Sequence, residues 1–342
     1  MEEQPLFFDL GKRPPTTRTI ALKVREAGAQ LAIDEAQRRA DAASYQEVTC
    51  RSALNAVKGM PFNWTLNPYR GCTHGCHYCF ARRYQTQFEL DADDHFSSFI
   101  LVKVNLVEVL RRELDKPSWK REQVAVGTAT DPYQPIEGHY KLTRGSLVAL
   151  NTGRTPIGLV TKGPMVVRDA DVLADLGRTA DCTVYMSVPS IDEDAWRALE
   201  PGTAHPLQRL RAVRKLRDAG VKAGVLMAPV VPGFTTQPAK LEATIKAIAD
   251  HGAAFMGANI MYLKGGTKDH FMGFIAREFP QMVEGYNRLY AGAYAKADYI
   301  SGVRAMLTVL QDRYGLRGRT RRSHDESDAP SERAEEQGRL EW

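Results

Sequence analysis

Three observations predict an α/β protein built on a mostly parallel sheet. Six short runs rich in apolar and β-branched residues recur at Asn63–Tyr69, Val124–Thr130, Ile157–Lys162, Thr183–Val188, Lys222–Pro229 and Ala258–Leu263. Amphipathic segments of helical period separate them, at Ile100–Leu114, Thr143–Asn151, Ala170–Leu176, Pro206–Ala219 and Pro238–His251. The stretches that follow the strands, "RGCTHGC", "DPYQP", "KGP", "PS" and "VPGF", are polar or conformationally special. Strands that alternate with helices require crossover connections and hence a parallel sheet. Periodicity alone fits both a partial (β/α) barrel and a doubly wound sheet. Special residues gathered at the strand C-termini are the mark of a barrel active site.

Taken in order, residues 1–45 are polar and rich in Arg and Ala, with "KRPPTTRT" early on. They read as a loosely ordered extension with one helix around residues 26–40. In "LQRLRAVRKLRDAG" the apolar positions Leu207, Leu210, Val213 and Leu216 recur every three residues, and Gly220 closes the helix. After Gly265 the aromatic-rich segments "FMGFIAREF", "QMVEGYNRLYAGAY" and "YISGVRAMLTVLQDRYG" read as helices that cover the barrel or its open side. Residues 323–342 lack apolar periodicity and read as a disordered tail. The expected organisation is an extension over 1–49, a core barrel over 50–265, a helical cover over 266–322 and an acidic tail over 323–342.

The 342-residue chain is 43% hydrophobic and 25% charged, the balance of a soluble globular protein. Its start, "MEEQPLFFDLGKRPP", has acids and no sustained apolar run, which argues against a secretory signal. No stretch approaches the ~18–20 apolar residues of a membrane span. The expected location is the cytoplasm, with no membrane partner; the sequence leaves the oligomeric state open. The net charge of +5 is uneven. The tail holds seven acids against Arg333 and Arg339, hence −5, so residues 1–322 carry +10. A basic body suits a polyanion such as DNA or RNA, and it equally suits an ordinary solvated surface.

The chain has five cysteines, Cys50, Cys72, Cys76, Cys79 and Cys182. An odd, clustered set argues for metal or redox chemistry rather than a disulfide framework. "RGCTHGCHYC" packs three cysteines in C-x3-C-x2-C spacing directly after the first strand. Thiolates select iron–sulfur clusters, zinc or Cu(I). Three thiolates on a four-iron cubane leave one iron open, and an open coordination site is a catalytic feature. Cys72, Cys76 and Cys79 with His74 or His77 could instead form a zinc knuckle. Otherwise the two histidines stand behind the ligands or face solvent.

C-x3-C-x2-C after the first strand, with its aromatic insert Tyr78, resembles the radical S-adenosylmethionine (radical SAM) superfamily. The resemblance implies a partial (β/α)6 TIM-like barrel with an N-terminal extension and C-terminal helices. It also implies a 4Fe–4S cluster on Cys72, Cys76 and Cys79 whose open iron chelates the amino and carboxylate groups of SAM. Cleavage of SAM then gives a 5′-deoxyadenosyl radical that abstracts hydrogen from substrate. The electron comes from a donor such as flavodoxin or ferredoxin. "NPYRGCTHGCHYCFAR" with "GTATDPYQPIE" and "KLTR" is similar, over residues 50 to 270, to the spore photoproduct lyase-like group, also labelled DNA repair photolyases. This points to a nucleic-acid lesion or nucleotide as substrate, with RNA, a peptide or a small metabolite as the alternative. Tyr78 matches one tyrosine of that group's radical relay and is the candidate catalytic residue. Phe80 stands where the group has a tyrosine, and no cysteine lies between Cys79 and Cys182 where the group keeps its hydrogen donor.

The same resemblance assigns SAM contacts at the strand ends. Gly127 permits close backbone approach, and Thr128, Thr130 or Asp131 accept from the SAM ammonium, unless Asp131-Pro132 only initiates a turn. Lys162 meets the SAM carboxylate as a point charge, unless it is a salt-bridged rim lysine. Ser187 is a hydroxyl donor to the same carboxylate. Glu200 and Arg209 hold the loop together or contact SAM. "APVVPG", residues 228–233, walls the adenine or forms a strand and rigid turn. Cys182 reads as a small core residue and Cys50 as inert. Arg313, Arg317, Arg319, Arg321 and Arg322 either grip phosphate or end a solvated helix.

Overall fold

The computed structural model describes residues 37–84 and 95–316. Its main sheet has seven strands in the order β10-β9-β8-β7-β6-β3-β2. They are β2 Leu54–Ala56, β3 Trp64–Leu66, β6 Val124–Val126, β7 Ile157–Thr161, β8 Cys182–Ser187, β9 Lys222–Val230 and β10 Met256–Ile260. Only β2 runs antiparallel, paired with β3 through Leu54–Leu66 and Ala56–Trp64. All six anticipated strands are present, within a few residues of their expected ends.

The strand order settles which of the two parallel architectures is used. From β3 to β10 each new parallel strand is added on the same side of the last. A doubly wound sheet reverses direction at a switch point. This sheet never does, so it is singly wound, as in a (β/α)6 partial barrel. Strands β6, β7 and β8 are buried on both faces at almost every position, as a parallel sheet between helices demands.

The crossover helices are α1 Leu106–Leu114, α2 Leu142–Thr152, α3 Ala170–Thr179, α4 Glu193–Leu199, α5 Pro206–Asp218 and α6 Pro238–Asp250. The apolar stripes of all but α4 close on the sheet in one core that includes Leu110, Leu150, Leu173, Leu210 and Ile245, all fully buried. Cys182 is 1% exposed within it, and Cys50 is also buried against it.

One anticipated helix is only partly helical. Ile100–Leu114 begins as strand β5, Phe99–Lys103, and becomes helical from Leu106. Ile100 and Val102 are fully buried while their neighbours are half-buried, which is the alternation of a strand. β5 lies in a small second sheet, parallel to β1 (Ser44–Val48) and antiparallel to β4 (Tyr69–Arg70). The Asn63–Tyr69 run divides in the same way, with Trp64–Leu66 in the main sheet and Tyr69 in the second. Asn105, at the turn between β5 and α1, bonds Cys50 twice, accepting from its N–H at 2.8 Å and donating to its carbonyl at 3.0 Å.

Beyond β10, helices α7 Gly266–Glu278, α8 Val283–Leu289 and α9 Ala297–Arg313 follow. Phe271, Phe274, Tyr286 and Tyr290 form a second core that also buries Cys76 and Tyr78. Arg313 is exposed and paired with Glu242 at 2.7 Å. The other arginines of that late run, the acidic tail and residues 26–36 of the expected early helix lie outside the described residues; residues 37–42 are helical. Among the described residues, no helix is long and apolar enough to cross a membrane.

Candidate functional site

The cysteines sit on the loop that leaves β4, past the C-terminal end of the first parallel strand. Gly71 opens it at φ +78°, and a Cβ there would lie 2.7 Å from the Phe99 carbonyl oxygen, so a side chain does not fit. Cys72 and Cys76 are buried and Cys79 is half-buried.

The carbonyls from Cys72 to Cys76 each accept a hydrogen bond from the protein. Cys72 O accepts from Gly75 N–H at 3.1 Å and His74 O from Gly202 N–H at 3.0 Å. Thr73 O accepts from Arg39 Nε at 3.4 Å. Arg82, only 2% exposed, donates to Gly75 O at 2.9 Å and Cys76 O at 3.1 Å. The His74 N–H is directed to the Cys72 sulfur.

Burial pushes the Cys72 thiol well up, with Asp131 adding to the effect. Burial also raises Cys76 to about 12, against the pull of Lys162. Such thiols ionise when a metal replaces the proton. Among the described residues no three His, Cys, Asp or Glu side chains converge on a single-ion position. His77 Nδ1 is 3.1 Å from His270 Nε2 and its ring stacks on Phe274, while His74 Nδ1 is 3.4 Å from Asp131. A single zinc ion is therefore poorly matched. A four-iron cluster takes one thiolate on each of separate irons, so its ligands need not converge, and the three-thiol loop fits it.

Beside Cys76 stands a buried charged group assembled from four elements. Tyr78 donates its hydroxyl hydrogen to Glu200 Oε1. Arg209, fully buried, donates to Glu200 Oε2 at 2.7 Å, to the Ser187 carbonyl at 3.1 Å and to the Ala204 carbonyl at 2.8 Å. Lys162 Nζ lies 3.8 Å from Glu200 and 5.5 Å from the Tyr78 ring centroid. Burial pushes Glu200 up, but Arg209 and Lys162 outweigh it and hold the carboxyl below its usual range. Burial likewise pushes Lys162 down, and Cys76 and Glu200 more than reverse this. Four of the expected site residues, Tyr78, Lys162, Ser187 and Arg209, thus meet here. Ser187 donates to the Ala228 carbonyl at 3.3 Å.

The residues that follow β6 pack against the Cys72 end of the loop. At Gly127, φ +83°, a Cβ would meet the Val160 carbonyl oxygen at 2.4 Å, so the position is reserved for close backbone approach. Thr130 donates to the Gly71 carbonyl at 2.6 Å, and Thr128 Oγ1 stands 3.5 Å from Asn67 Nδ2. Asp131 initiates a turn, accepting from the Tyr133 N–H at 2.9 Å, and it also accepts from the Thr161 hydroxyl at 2.6 Å and the Lys162 N–H at 2.6 Å. Burial raises its pKa, but His74 and these donors lower it further, to about 2. Its oxygens are engaged within the protein.

Three positions that sequence reasoning passed over support the loop. Gln134 accepts from the Thr73 N–H at 3.1 Å, and Arg82 clamps the carbonyls described above. The third is Gly202, in "EPGT". The Leu199 carbonyl accepts from His77 N–H at 3.0 Å while Gly202 N–H donates to His74, so the α4–α5 connection pairs with the cysteine loop. A Cβ on Gly202 would lie 2.4 Å from Thr73 O and 2.9 Å from His74 O, both backbone atoms. Overpacking of this kind costs ~1–3 kcal/mol. Gly202→Ala is expected to lower the melting temperature and the iron bound per chain. Gly285→Ala, with nothing within 4 Å of the new Cβ, should change neither. Equal iron loading in the two variants would refute the clamp.

A singly wound parallel sheet with a thiol loop beyond its first strand, and with charged side chains collected at the same end, defines an enzyme scaffold of the partial-barrel class. Residues 66–248 match the family model described as the Radical SAM superfamily, and the chain belongs to that superfamily. Uncharacterised proteins of Mycobacterium bovis and Mycobacterium tuberculosis are each 37% identical to it over 293 residues, covering 84% of this chain and 86% of theirs. A radical SAM Nα-GlyT isomerase of Pseudomonas phage M6 is 27% identical over 176 residues, 49% of this chain and 33% of its own. Among solved structures, a spore photoproduct lyase mutant with bound AdoMet and dinucleoside spore photoproduct superposes with a TM-score of 0.61. It is 16% identical and 79% of each chain is covered, a likeness of fold.

Proposed function

We propose that the protein is a radical SAM enzyme whose Cys72, Cys76 and Cys79 hold a 4Fe–4S cluster. The carrying observation is the loop itself, three thiols beyond the first parallel strand with every carbonyl from Cys72 to Cys76 taking a protein donor. When bound, cluster and SAM supply one-electron cleavage of the sulfonium and a carbon radical able to abstract hydrogen. This chain's part is to hold and charge the site. Lys162 presents an ammonium beside Cys76, suited to the SAM carboxylate, and Glu200 and Arg209 fix Lys162 and Tyr78 in place. Gly127 admits backbone approach, and Thr128 offers a hydroxyl at the same rim.

The preferred substrate is a nucleic-acid lesion or nucleotide. The fold shared with a lyase whose solved complex contains a dinucleoside photoproduct supports this, as does the +10 charge of residues 1–322. Modification of RNA, a peptide or a small metabolite is the second reading. An intracellular setting with a flavodoxin- or ferredoxin-type electron donor suits either.

The test is anaerobic. Reconstituted protein with dithionite and SAM is expected to release 5′-deoxyadenosine, read by chromatography, even without substrate. Intact SAM beside a loaded cluster would end the reading. On synthetic spore photoproduct little conversion to thymines is expected. Phe80 has no hydroxyl to relay a radical, and no thiol lies between Cys79 and Cys182 to return a hydrogen. Conversion at the rate of SAM cleavage would instead make the lyase assignment literal.

A further inference from the structure

Within the cysteine loop one polar group is unaccounted for. Thr73 is 1% exposed, and its hydroxyl is buried with no hydrogen-bond partner among the described residues. Buried hydroxyls are nearly always bonded, so an orphan asks for an explanation. The five carbonyls from Cys72 to Cys76 each take another protein donor, and none of them accepts from the Thr73 hydroxyl. His74 Nδ1 also makes no hydrogen bond, but it faces the Asp131 carboxylate at 3.4 Å. Thr73 Oγ1 makes no hydrogen bond to any described residue. Its residue directly follows Cys72, whose sulfur already attracts the next N–H in the chain, that of His74.

We infer that Thr73 donates its hydroxyl hydrogen to a sulfur of the cluster, either the Cys72 thiolate or an inorganic sulfide. This rests on the cluster assignment proposed above. An O–H···S bond strengthens as the sulfur becomes more negative, so it favours the reduced state and raises the reduction potential. Thr73 is thereby a tuning residue for electron entry. The step concerned is one-electron reduction of the cluster by dithionite, with no bond made or broken in the protein.

The test compares wild type, Thr73→Val and Thr73→Ser after anaerobic reconstitution. Valine has the same shape and no hydroxyl. Three quantities are read: iron and sulfide per chain, the midpoint potential from spectroscopic titration, and the melting temperature of the cluster-free protein. Thr73→Val is expected to load iron but to show a more negative midpoint. At fixed poise the reduced fraction falls by up to about tenfold, which is ~59 mV for one electron. Thr73→Ser should restore the wild-type midpoint. Cluster-free Thr73→Val should melt no lower than wild type, because removing an orphan hydroxyl costs the folded chain nothing. A loaded Thr73→Val with an unchanged midpoint overturns the hydroxyl's role and leaves the cluster reading intact. A destabilised cluster-free Thr73→Val also overturns it, since the hydroxyl would then be engaged by the protein. Wild type without an iron–sulfur spectrum would overturn the cluster reading first, and this inference with it.

Discussion

Cys72→Ala, Cys76→Ala or Cys79→Ala should each abolish cluster incorporation, measured as iron and sulfide per chain after anaerobic reconstitution. The three thiols share one loop, and alanine offers no ligand atom in place of any of them. The other two cysteines cannot substitute. Cys50 and Cys182 are buried in the main core, among leucines and valines of the sheet and its helices. Cys50→Ala and Cys182→Ala should therefore load iron as wild type does, at a modest cost in stability from lost core volume. Full loading of any of the first three variants, or loss of iron in either of the last two, would refute the ligand set.

The second large effect is on stability. Arg209→Met leaves Glu200, itself 3% exposed, with Lys162 at 3.8 Å as its remaining cation. Removing one partner of a buried ion pair costs ~3–5 kcal/mol, whereas replacing both by apolar residues of similar volume is often close to neutral. Chemical denaturation of cluster-free protein should show that loss for Arg209→Met and a partial recovery in Arg209→Met/Glu200→Leu. The double variant also loses the Tyr78 hydrogen bond to Glu200, so its iron binding should stay low even where its stability recovers. An Arg209→Met variant within ~1 kcal/mol of wild type would show that water or Lys162 compensates Glu200.

Local pattern explains what could be read in the sequence. The buried runs of β6 to β9 announce themselves because a parallel sheet covered on both faces must be apolar at nearly every position. C-x3-C-x2-C is legible because ligands on one short loop carry their geometry in their spacing. Ile100–Lys103 reads as helix because a continuous apolar run feeding a helix looks like its first turn. Only its pairing with Ser44–Val48 and Tyr69–Arg70, distant in sequence, makes it a strand. The site's supporting residues were hidden for the same reason. Nothing near Gly202 in the chain signals that it packs against Thr73, and nothing near His270 signals that it meets His77. For Asp131 and Arg209 the residue type was noticed, but only the folded chain shows their bonds directed to protein partners.

The cysteine loop is held by residues translated long after it. Tyr78 bonds Glu200, 122 positions later; Thr267 reaches the Cys79 carbonyl across 188, and His77 meets His270 across 193. Neighbouring strands of the sheet, by contrast, are mostly consecutive in the chain and can pair as they emerge from the ribosome. Contacts that close long stretches of chain form late, because their loop-closure entropy is met only once the intervening structure is in place. A nascent chain therefore lacks these contacts of its cysteine loop until most of the protein has been made. For the cluster proposed above, insertion then belongs at the end of folding, and a chain truncated before α7 should retain much of its sheet and bind less iron.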